Sequence, residues 1–300
     1  MQSIAATAVS AHRRDHHGDL EGAVDSGAEY VEIDVRRVGD GRLVVHHGLT
    51  VGRLPLARCT YERICAAAAR PVPLLHEALD AIAGRALGHL DLKERGCEHE
   101  TVELALDRLG PGRFVVTSRD PESIRVIKRD FPEVVTALSV GRAPWERGAV
   151  RDLSPLSTVR RCGADMVALN HRLARIGVLA ACARAGFPAM VWTVNAESLM
   201  RRFLADPRVA VLVTDHPRRA LALRDAGAGN RPAHPSPALP GVFAGSSAAR
   251  PAARCGRGGR DARAAADGPQ ARQRAGPVRP APPSTEGSVG PEPDPRGRIA

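Results

Sequence analysis

The sequence predicts an α/β fold, a (β/α)8 TIM barrel, followed by a disordered carboxyl-terminal tail. Residues 1–228 alternate short apolar runs with helical patterns, which is typical of βα units around a parallel sheet. Eight such runs occur, the number that closes a barrel of about 250 residues. Hydrophobic residues make up 43% of the 300-residue chain, so a sizeable core can form.

The eight apolar runs are short enough to be strands, and patterns of helical period separate them. The predicted strands are residues 8–12, 30–35, 87–92, 114–118, 134–140, 166–170, 189–195 and 211–214. A further extended run at 42–47 follows the turn signal Asp40-Gly41. We expect this run to lie on the loop after the second strand.

Helices are predicted between the strands, and glycines mark several of their ends. Gly27, Gly110 and Gly186 stand where a helix should stop. The predicted helices include residues 20–26, 75–83, 98–109, 157–161, 176–185, 196–205 and 217–225.

The competing fold is an open, doubly wound sheet. It would need a glycine-rich phosphate turn after the first strand. Residues 12–15 read His-Arg-Arg-Asp instead, which favours the closed barrel.

Residues 229–300 form a second, different segment, rich in Pro, Gly, Ala, Ser and Arg and without apolar periodicity. Such a segment cannot bury enough surface to offset its ordering entropy, so we predict that it is disordered. Eleven arginines and five acidic residues give it +6 of the chain's net charge of +10. A basic tail can retain polyanions, which leaves a non-catalytic polyanion-binding role open. A solvated tail is the simpler prediction, and we expect no specific nucleic-acid partner.

The spacing of the cysteines and the hydropathy of the chain indicate the cellular compartment. The six cysteines are scattered without a Cys-x-x-Cys pair, so neither a zinc site nor a small disulfide scaffold is indicated. Residues 1–11 lack a basic start and a long apolar run, and therefore predict a first strand rather than a signal peptide. No stretch approaches 18 uninterrupted apolar residues, so no membrane span is predicted. A cytoplasmic location is the default expectation.

Carboxylates interrupt two apolar strands near their carboxyl ends, where barrel active sites form. Glu32 and Asp34 are two residues apart, so their side chains share one face of the second strand. Asp91 lies at the end of the third strand, and Lys93 follows it on the same face. Carboxylates in one cluster repel each other unless a cation lies between them, and oxygen ligands suit a hard cation. Exposed strand-end acids and an ordinary ion pair are the alternatives.

Two histidines accompany these carboxylates. His12 ends the first strand and His47 ends the extended run, whereas His46 alternates to the opposite face. Histidines titrate near neutrality, so two of them can serve as general acid and general base. A single strand-end histidine is usually structural, but two beside three carboxylates favour a catalytic site.

Six short segments carry most of these side chains. They are Ala-His-Arg at 11–13, Gly-Ala-Glu-Tyr-Val-Glu-Ile-Asp-Val at 27–35, Asp-Gly-Arg-Leu-Val-Val-His-His at 40–47, Leu-Asp-Leu-Lys at 90–93, Val-Trp-Thr-Val-Asn at 191–195 and Val-Thr-Asp-His-Pro at 213–217. With these six segments in this order, the chain resembles the glycerophosphodiester phosphodiesterase superfamily. It also has features of the sphingomyelinase D and phospholipase D branch of that superfamily. The resemblance spans nearly the whole predicted barrel.

The resemblance implies a phosphoric diester hydrolase that uses His12 and His47 as acid and base. It implies one divalent cation, Mg²⁺ or Ca²⁺, held by Glu32, Asp34 and Asp91. The expected reaction converts glycerophosphodiesters to an alcohol and glycerol phosphate.

Four more residues become substrate-binding candidates through the resemblance. Arg13 and Lys93 would hold the phosphate, Trp192 would wall the pocket and Asn195 would line it. The implied partner is a small-molecule or lipid phosphodiester, and the sequence predicts no particular oligomeric state.

Several positions depart from the common pattern of the superfamily. Arg14 stands where glycine is usual, Gly48 where aspartate is usual, and Asp91 where glutamate is usual. A Pro-Glu-Asn segment is absent, and the first loop is short. A phospholipase D-like enzyme that releases a cyclic phosphate, and a barrel without activity, are therefore the alternatives.

Overall fold

The computed structural model describes residues 6–12, 20–143, 145–146 and 148–228. Eight parallel strands form the barrel wall. In chain order they are β1 (Ala8–Ala11), β2 (Tyr30–Arg37), β6 (Leu87–Leu92), β7 (Phe114–Ser118), β8 (Val135–Val140), β9 (Met166–Asn170), β10 (Ala189–Trp192) and β11 (Val209–Thr214). The predicted fold class is confirmed.

The barrel closes because β1 pairs in parallel with two strands. Ala8 lies opposite Val211 of the last strand, and Ser10 lies opposite Tyr30 of the second. An open sheet would leave two parallel edges, so the doubly wound alternative is excluded. All eight predicted strands are present, with ends that differ by up to three residues.

The extended run after β2 folds back on it as a hairpin. β3 (Leu43–Val45) pairs antiparallel with the end of β2, and a small separate ribbon of β4 (Thr50–Val51) and β5 (Leu54–Pro55) follows. This hairpin buries its own apolar cluster, which includes Val44 and Ile64. Its packing fixes the segment that carries His47.

Ten α-helices lie in the described residues. They are α1 (Leu20–Val24), α2 (Tyr61–Ala67), α3 (Leu75–Ile82), α4 (Glu98–Leu109), α5 (Pro121–Asp130), α6 (Leu156–Cys162), α7 (His171–Arg175), α8 (Val178–Arg184), α9 (Glu197–Leu204) and α10 (Pro217–Ala228). None of them is long and apolar enough to cross a membrane.

Three helices, α2, α5 and α7, were not among those predicted. The carboxylate of Asp120 accepts a hydrogen bond from the Glu122 amide and Pro121 takes the first turn, a strong start signal for α5. The helix predicted at 176–185 is present as α8 (Val178–Arg184), with α7 as a separate short helix before it. Gly177, with a φ of 104°, lies between α7 and α8 and breaks the helical path.

The core has an inner and an outer layer. Tyr30, Met166, Met190 and Val211 fill the barrel interior, and a larger apolar layer joins the sheet to the helices. Side chains alternate along each strand, so inward-facing residues nearer the carboxyl ends of the strands lie above this inner core layer. The predicted tail, 229–300, lies outside the described residues, and its disorder stays a prediction.

Candidate active site

The three predicted carboxylates converge at the carboxyl end of the barrel. Glu32 and Asp34 alternate on β2, and the register places Asp34 opposite Asp91 of β6. One oxygen from each of Glu32, Asp34 and Asp91 lies within 4.8 Å of the other two. Adjacent strands and period-two alternation therefore make one cluster from residues that are far apart in the sequence.

Glu32 shows why this cluster suits a cation. Its Oε2 atom is buried without a hydrogen-bond partner, and the nearest ring nitrogen, Nδ1 of His89, lies 4.0 Å away. Burial, opposed by His12 and reinforced by Asp34, raises the pKa of Glu32 to about 7. An unpaired buried carboxylate costs several kcal/mol, which a coordinated cation would offset. A donor set made only of carboxylate oxygens matches Mg²⁺ or Ca²⁺.

Lys93 lies between two of the carboxylates. Its Nζ atom is 2.7 Å from Oδ1 of Asp34 and also donates to Asp91. Burial disfavours the ammonium, but Asp91 and Asp34 outweigh it, so the pKa of Lys93 is raised. Burial likewise opposes the charge on Asp34, yet His47 and Lys93 hold its pKa well below the usual range. Lys93 thus contacts two carboxylates, and its phosphate contact stays a prediction.

His12 belongs to a chain of hydrogen bonds at the end of β11. Its Nδ1 atom is 2.6 Å from Oδ1 of Asp215, and its Nε2 atom is 4.0 Å from Oε1 of Glu32. Burial lowers the pKa of His12, but Glu32 and Asp215 outweigh it and raise the pKa to about 9. Asn195 in turn donates to Asp215 and accepts a bond from the Asp215 amide at 3.0 Å. Asn195 therefore holds Asp215, and Asp215 holds the His12 ring.

His47 approaches the same cluster from the hairpin. Its Nδ1 atom lies 3.1 Å from Oδ2 of Asp34, and its side chain is 47% exposed. His46 points the other way, is buried and bonds the Gly48 carbonyl at 3.1 Å. Arg36 donates to the His47 carbonyl at 3.0 Å and pairs with Glu94 at 3.1 Å, which fixes the backbone under the ring.

The sequence predicted no role for two side chains of this site, Asp215 and His89. His89 is buried between Ser10, 3.0 Å from Nδ1, and Thr117, 3.2 Å from Nε2. Burial lowers its pKa to about 4. His89 shares the face of Asp91 two residues later, so the same alternation that indicated the carboxylates could have indicated it.

The remaining predicted residues lie farther round the rim or outside the description. Trp192 donates to the Ala168 carbonyl at 3.0 Å, and the guanidinium of Arg119 lies 5.6 Å from the centre of its ring. Arg13 falls in the segment 13–19, which lies outside the described residues, so its role stays a prediction.

No protein-family model and no curated protein matches the chain. Solved structures do match. A glycerophosphodiester phosphodiesterase from Parabacteroides distasonis is 20% identical with a TM-score of 0.63, covering 74% of this chain and 98% of its own. The chain has the fold of these enzymes.

Two further structures agree. A phosphodiesterase from Oleispira antarctica, in complex with the product sn-glycerol-3-phosphate, is 20% identical with a TM-score of 0.60, covering 73% of this chain and 97% of its own. A glycerophosphodiester phosphodiesterase from Agrobacterium tumefaciens is 22% identical with a TM-score of 0.57, covering 71% and 99%. Each aligned neighbour is covered almost completely, so the shared fold is the whole barrel.

Proposed function

We propose that this protein is a metal-dependent phosphodiesterase that hydrolyses glycerophosphodiesters to an alcohol and glycerol phosphate. The observation that carries the proposal is the arrangement of two histidines, each hydrogen-bonded to a carboxylate, around one cluster of three carboxylates. The neighbours' reaction supports the substrate class, since the Oleispira antarctica enzyme holds sn-glycerol-3-phosphate as its product.

Glu32, Asp34 and Asp91 would hold one divalent cation. The cation would neutralise phosphate charge and the additional charge that develops in the transition state. The buried Glu32 oxygen without a hydrogen-bond partner supports this assignment, because such an atom needs a positive partner.

The histidines supply proton transfer. A carboxylate on Nδ1 fixes the tautomer, so Nε2 is the atom that exchanges a proton with the reactants. Asp215 does this for His12 and Asp34 for His47. One imidazole accepts the proton of the attacking water while the oxygen of that water bonds to phosphorus. The other imidazole donates a proton to the leaving alkoxide while the bond between phosphorus and the alkoxide oxygen breaks.

Lys93 and the surrounding carboxylates determine the charge of the site. The ammonium balances part of the carboxylate charge before substrate binds, and it would contact a phosphate oxygen of the bound substrate. Arg13 would add a second cationic contact, and Trp192 would bound the pocket on the far side of the rim.

The experiment is a hydrolysis screen with glycerophosphocholine, glycerophosphoethanolamine, lysophosphatidylcholine and sphingomyelin, followed by phosphorus NMR. We expect glycerol phosphate from the first two substrates. EDTA should abolish turnover, and excess Mg²⁺ or Ca²⁺ should restore it. A cyclic phosphate as the end product would favour the phospholipase D-like alternative, and turnover that EDTA leaves unchanged would contradict the metal assignment.

Matched variants sharpen the screen. Glu32→Gln keeps the shape of the side chain but removes a ligand charge, and we expect loss of turnover and of metal-induced thermal stabilisation. Glu103→Gln makes the same chemical change on the exposed face of α4 and should leave both unchanged. Equal behaviour of the two variants would contradict the proposed site.

A further inference from the structure

A cavity of about 780 Å³ lies beside the carboxyl ends of β7 and β8 and is separate from the carboxylate cluster. Serine and threonine hydroxyl groups line it together with four arginines, which are Arg119, Arg142, Arg151 and Arg161. None of these residues has a part in the proposed hydrolysis. A concave surface with several guanidinium groups and hydroxyls suits phosphate oxygens.

The charge of this cavity is largely unbalanced. Among the described residues that line it, Asp152 is the single acidic one, and it pairs with Arg142 at 2.6 Å. Arg119 approaches exposed Glu146 only at 3.5 Å. In the part of the chain that the structure describes, no acidic side chain pairs with Arg151 or Arg161. Four arginines and one aspartate give the described lining a net positive charge.

The loop that borders the cavity exposes large apolar side chains. We call the described residues of the β8–α6 connection, which are 141–143, 145–146 and 148–155, the β8 loop. Trp145 is 85% exposed, Val150 is 79% exposed and Leu153 is 52% exposed. The other two exposed large hydrophobic residues in the described chain are Leu49 and Ile176. Leu49 follows the β2–β3 hairpin and Ile176 ends the short helix after β9, so both lie on segments at the carboxyl end of the barrel.

Apolar side chains on separate loops, with arginines beside them, indicate one kind of surface. A protein partner requires a continuous apolar patch, whereas a bilayer accepts separate tips that enter the interface independently. Basic residues near those tips are attracted to anionic headgroups. We propose that the β8 loop docks the carboxyl face of the barrel onto an anionic phospholipid bilayer. Trp145, Val150 and Leu153 enter the interface, and the arginine cavity binds lipid phosphate.

Vesicle flotation of the full-length protein tests the arginines. The vesicles are phosphatidylcholine alone or phosphatidylcholine with phosphatidylglycerol. Arg151→Ala/Arg161→Ala should lower the partition coefficient on anionic vesicles about 30-fold, since each basic residue near such a surface contributes a factor of about five. Arg184→Ala/Arg202→Ala removes equal charge from α8 and α9, outside both the cavity lining and the β8 loop, and should match wild type. Every variant carries the basic tail, so its contribution cancels.

Tryptophan fluorescence tests insertion of the loop. The chain has two tryptophans, so Trp192→Phe leaves Trp145 as the sole reporter. Its emission should be typical of a solvated indole in buffer and shift to the blue on anionic vesicles. Arg151→Ala/Arg161→Ala in the same background should need much more lipid to give that shift.

Three results would overturn the docking proposal. The first is equal flotation of the loop and control arginine variants, which would assign binding to the tail. The second is an unshifted Trp145 spectrum on vesicles that retain the protein. The third is calorimetric binding of inorganic phosphate that needs Arg151 and Arg161 without vesicle binding, which would make the cavity a site for a soluble anion. All three assays measure binding, so their failure is distinguishable from failure of the proposed hydrolysis.

Discussion

Single side chains in this site act through partners that fix their direction. Asp34 illustrates this, because one carboxylate contacts the His47 ring at 3.1 Å and the Lys93 ammonium at 2.7 Å. The Asp34 carboxylate therefore orients the His47 imidazole and balances the charge of the Lys93 ammonium at the same time. Substitution of Asp34 would therefore change several properties at once, so variants of its neighbours separate them better.

The two neighbouring histidines of the hairpin give a matched pair of variants. His47→Ala should lower kcat by about 10²–10⁴-fold, the usual contribution of a general acid or base. His12→Ala should do the same, and the double variant should be scarcely worse because the two rings act as a unit. His46→Ala should keep nearly full activity per folded molecule in the same steady-state assay, since its ring faces away from the cluster. An inactive His46→Ala beside an active His47→Ala would reverse the assignment.

The pKa of His12 depends on its contact with the Asp215 carboxylate. Burial alone would lower it, and the carboxylates Glu32 and Asp215 raise it to about 9 in the metal-free protein. In Asp215→Asn we expect the value measured by NMR in EDTA to fall by about one unit or more, because a charged partner is lost. Asp206→Asn, a carboxylate that bonds Arg208 beyond α9, should leave it unchanged.

This shift also has a consequence for stability. The folded pKa of His12 lies above the ordinary value of 6.5, so its pairing stabilises the metal-free fold fully below pH 6.5. That stabilisation is lost as the pH rises from 6.5 through about 9. The metal-free wild type should therefore lose more of its advantage over Asp215→Asn across this interval than below it. An advantage that grows with pH in urea titrations would contradict the assigned pairing.

At the scale of elements, the strands were predicted well because their apolar runs are local. The helix ends were harder. α8 begins only after Gly177 because that one residue is left-handed, and glycine in a helical pattern is compatible with several backbone paths. α5 has a clear start at Asp120 and Pro121, but its exposed faces are strongly charged and weaken the apolar pattern.

Gly141, at the end of β8, offers a test of packing between strand ends. Its φ is 137°, and a Cβ there would lie 2.3 Å from Cβ of Asn170 and 3.2 Å from Cζ2 of Trp192. Gly177 also has a positive φ, but a Cβ there meets nothing within 4 Å. Gly177→Ala should lower the free energy of unfolding by about 1–2 kcal/mol through backbone strain alone. Gly141→Ala should cost about 1–3 kcal/mol more through overpacking, measured by urea denaturation. Equal losses of unfolding free energy would show that Asn170 and Trp192 move away from a Cβ at position 141 without measurable cost.

At the scale of the whole molecule, the barrel topology was predictable and the connections within the site were only partly so. Glu32, Asp34 and Asp91 follow from alternation on adjacent strands. The bond from Asp215 to His12 joins residues 203 positions apart, and it becomes visible only when β11 lies beside β1. The arginine cavity could not be predicted from the sequence either, because its residues come from separate loops and helices with no shared spacing.

The charge of the molecule is divided between the barrel and the segment 229–300. The segment carries +6 of the net +10, which leaves +4 on residues 1–228. Its Pro, Gly, Ala and Arg composition offers no apolar face that could pack on the helices. Folding stability should therefore belong to residues 1–228, and long-range attraction to polyanions should be shared with the tail.

Truncation after Ala228 separates these two properties. We expect the melting temperature and kcat/KM on a soluble glycerophosphodiester to stay nearly unchanged, because no packed surface is removed. In a domain of this size, 1 kcal/mol of lost stability lowers Tm by about 2–4 °C, so even one docked segment would be visible by calorimetry. A fall of several degrees would contradict the predicted disorder. Binding to anionic vesicles should weaken yet keep its dependence on Arg151 and Arg161, since loss of the tail removes diffuse charge and leaves the β8 loop intact.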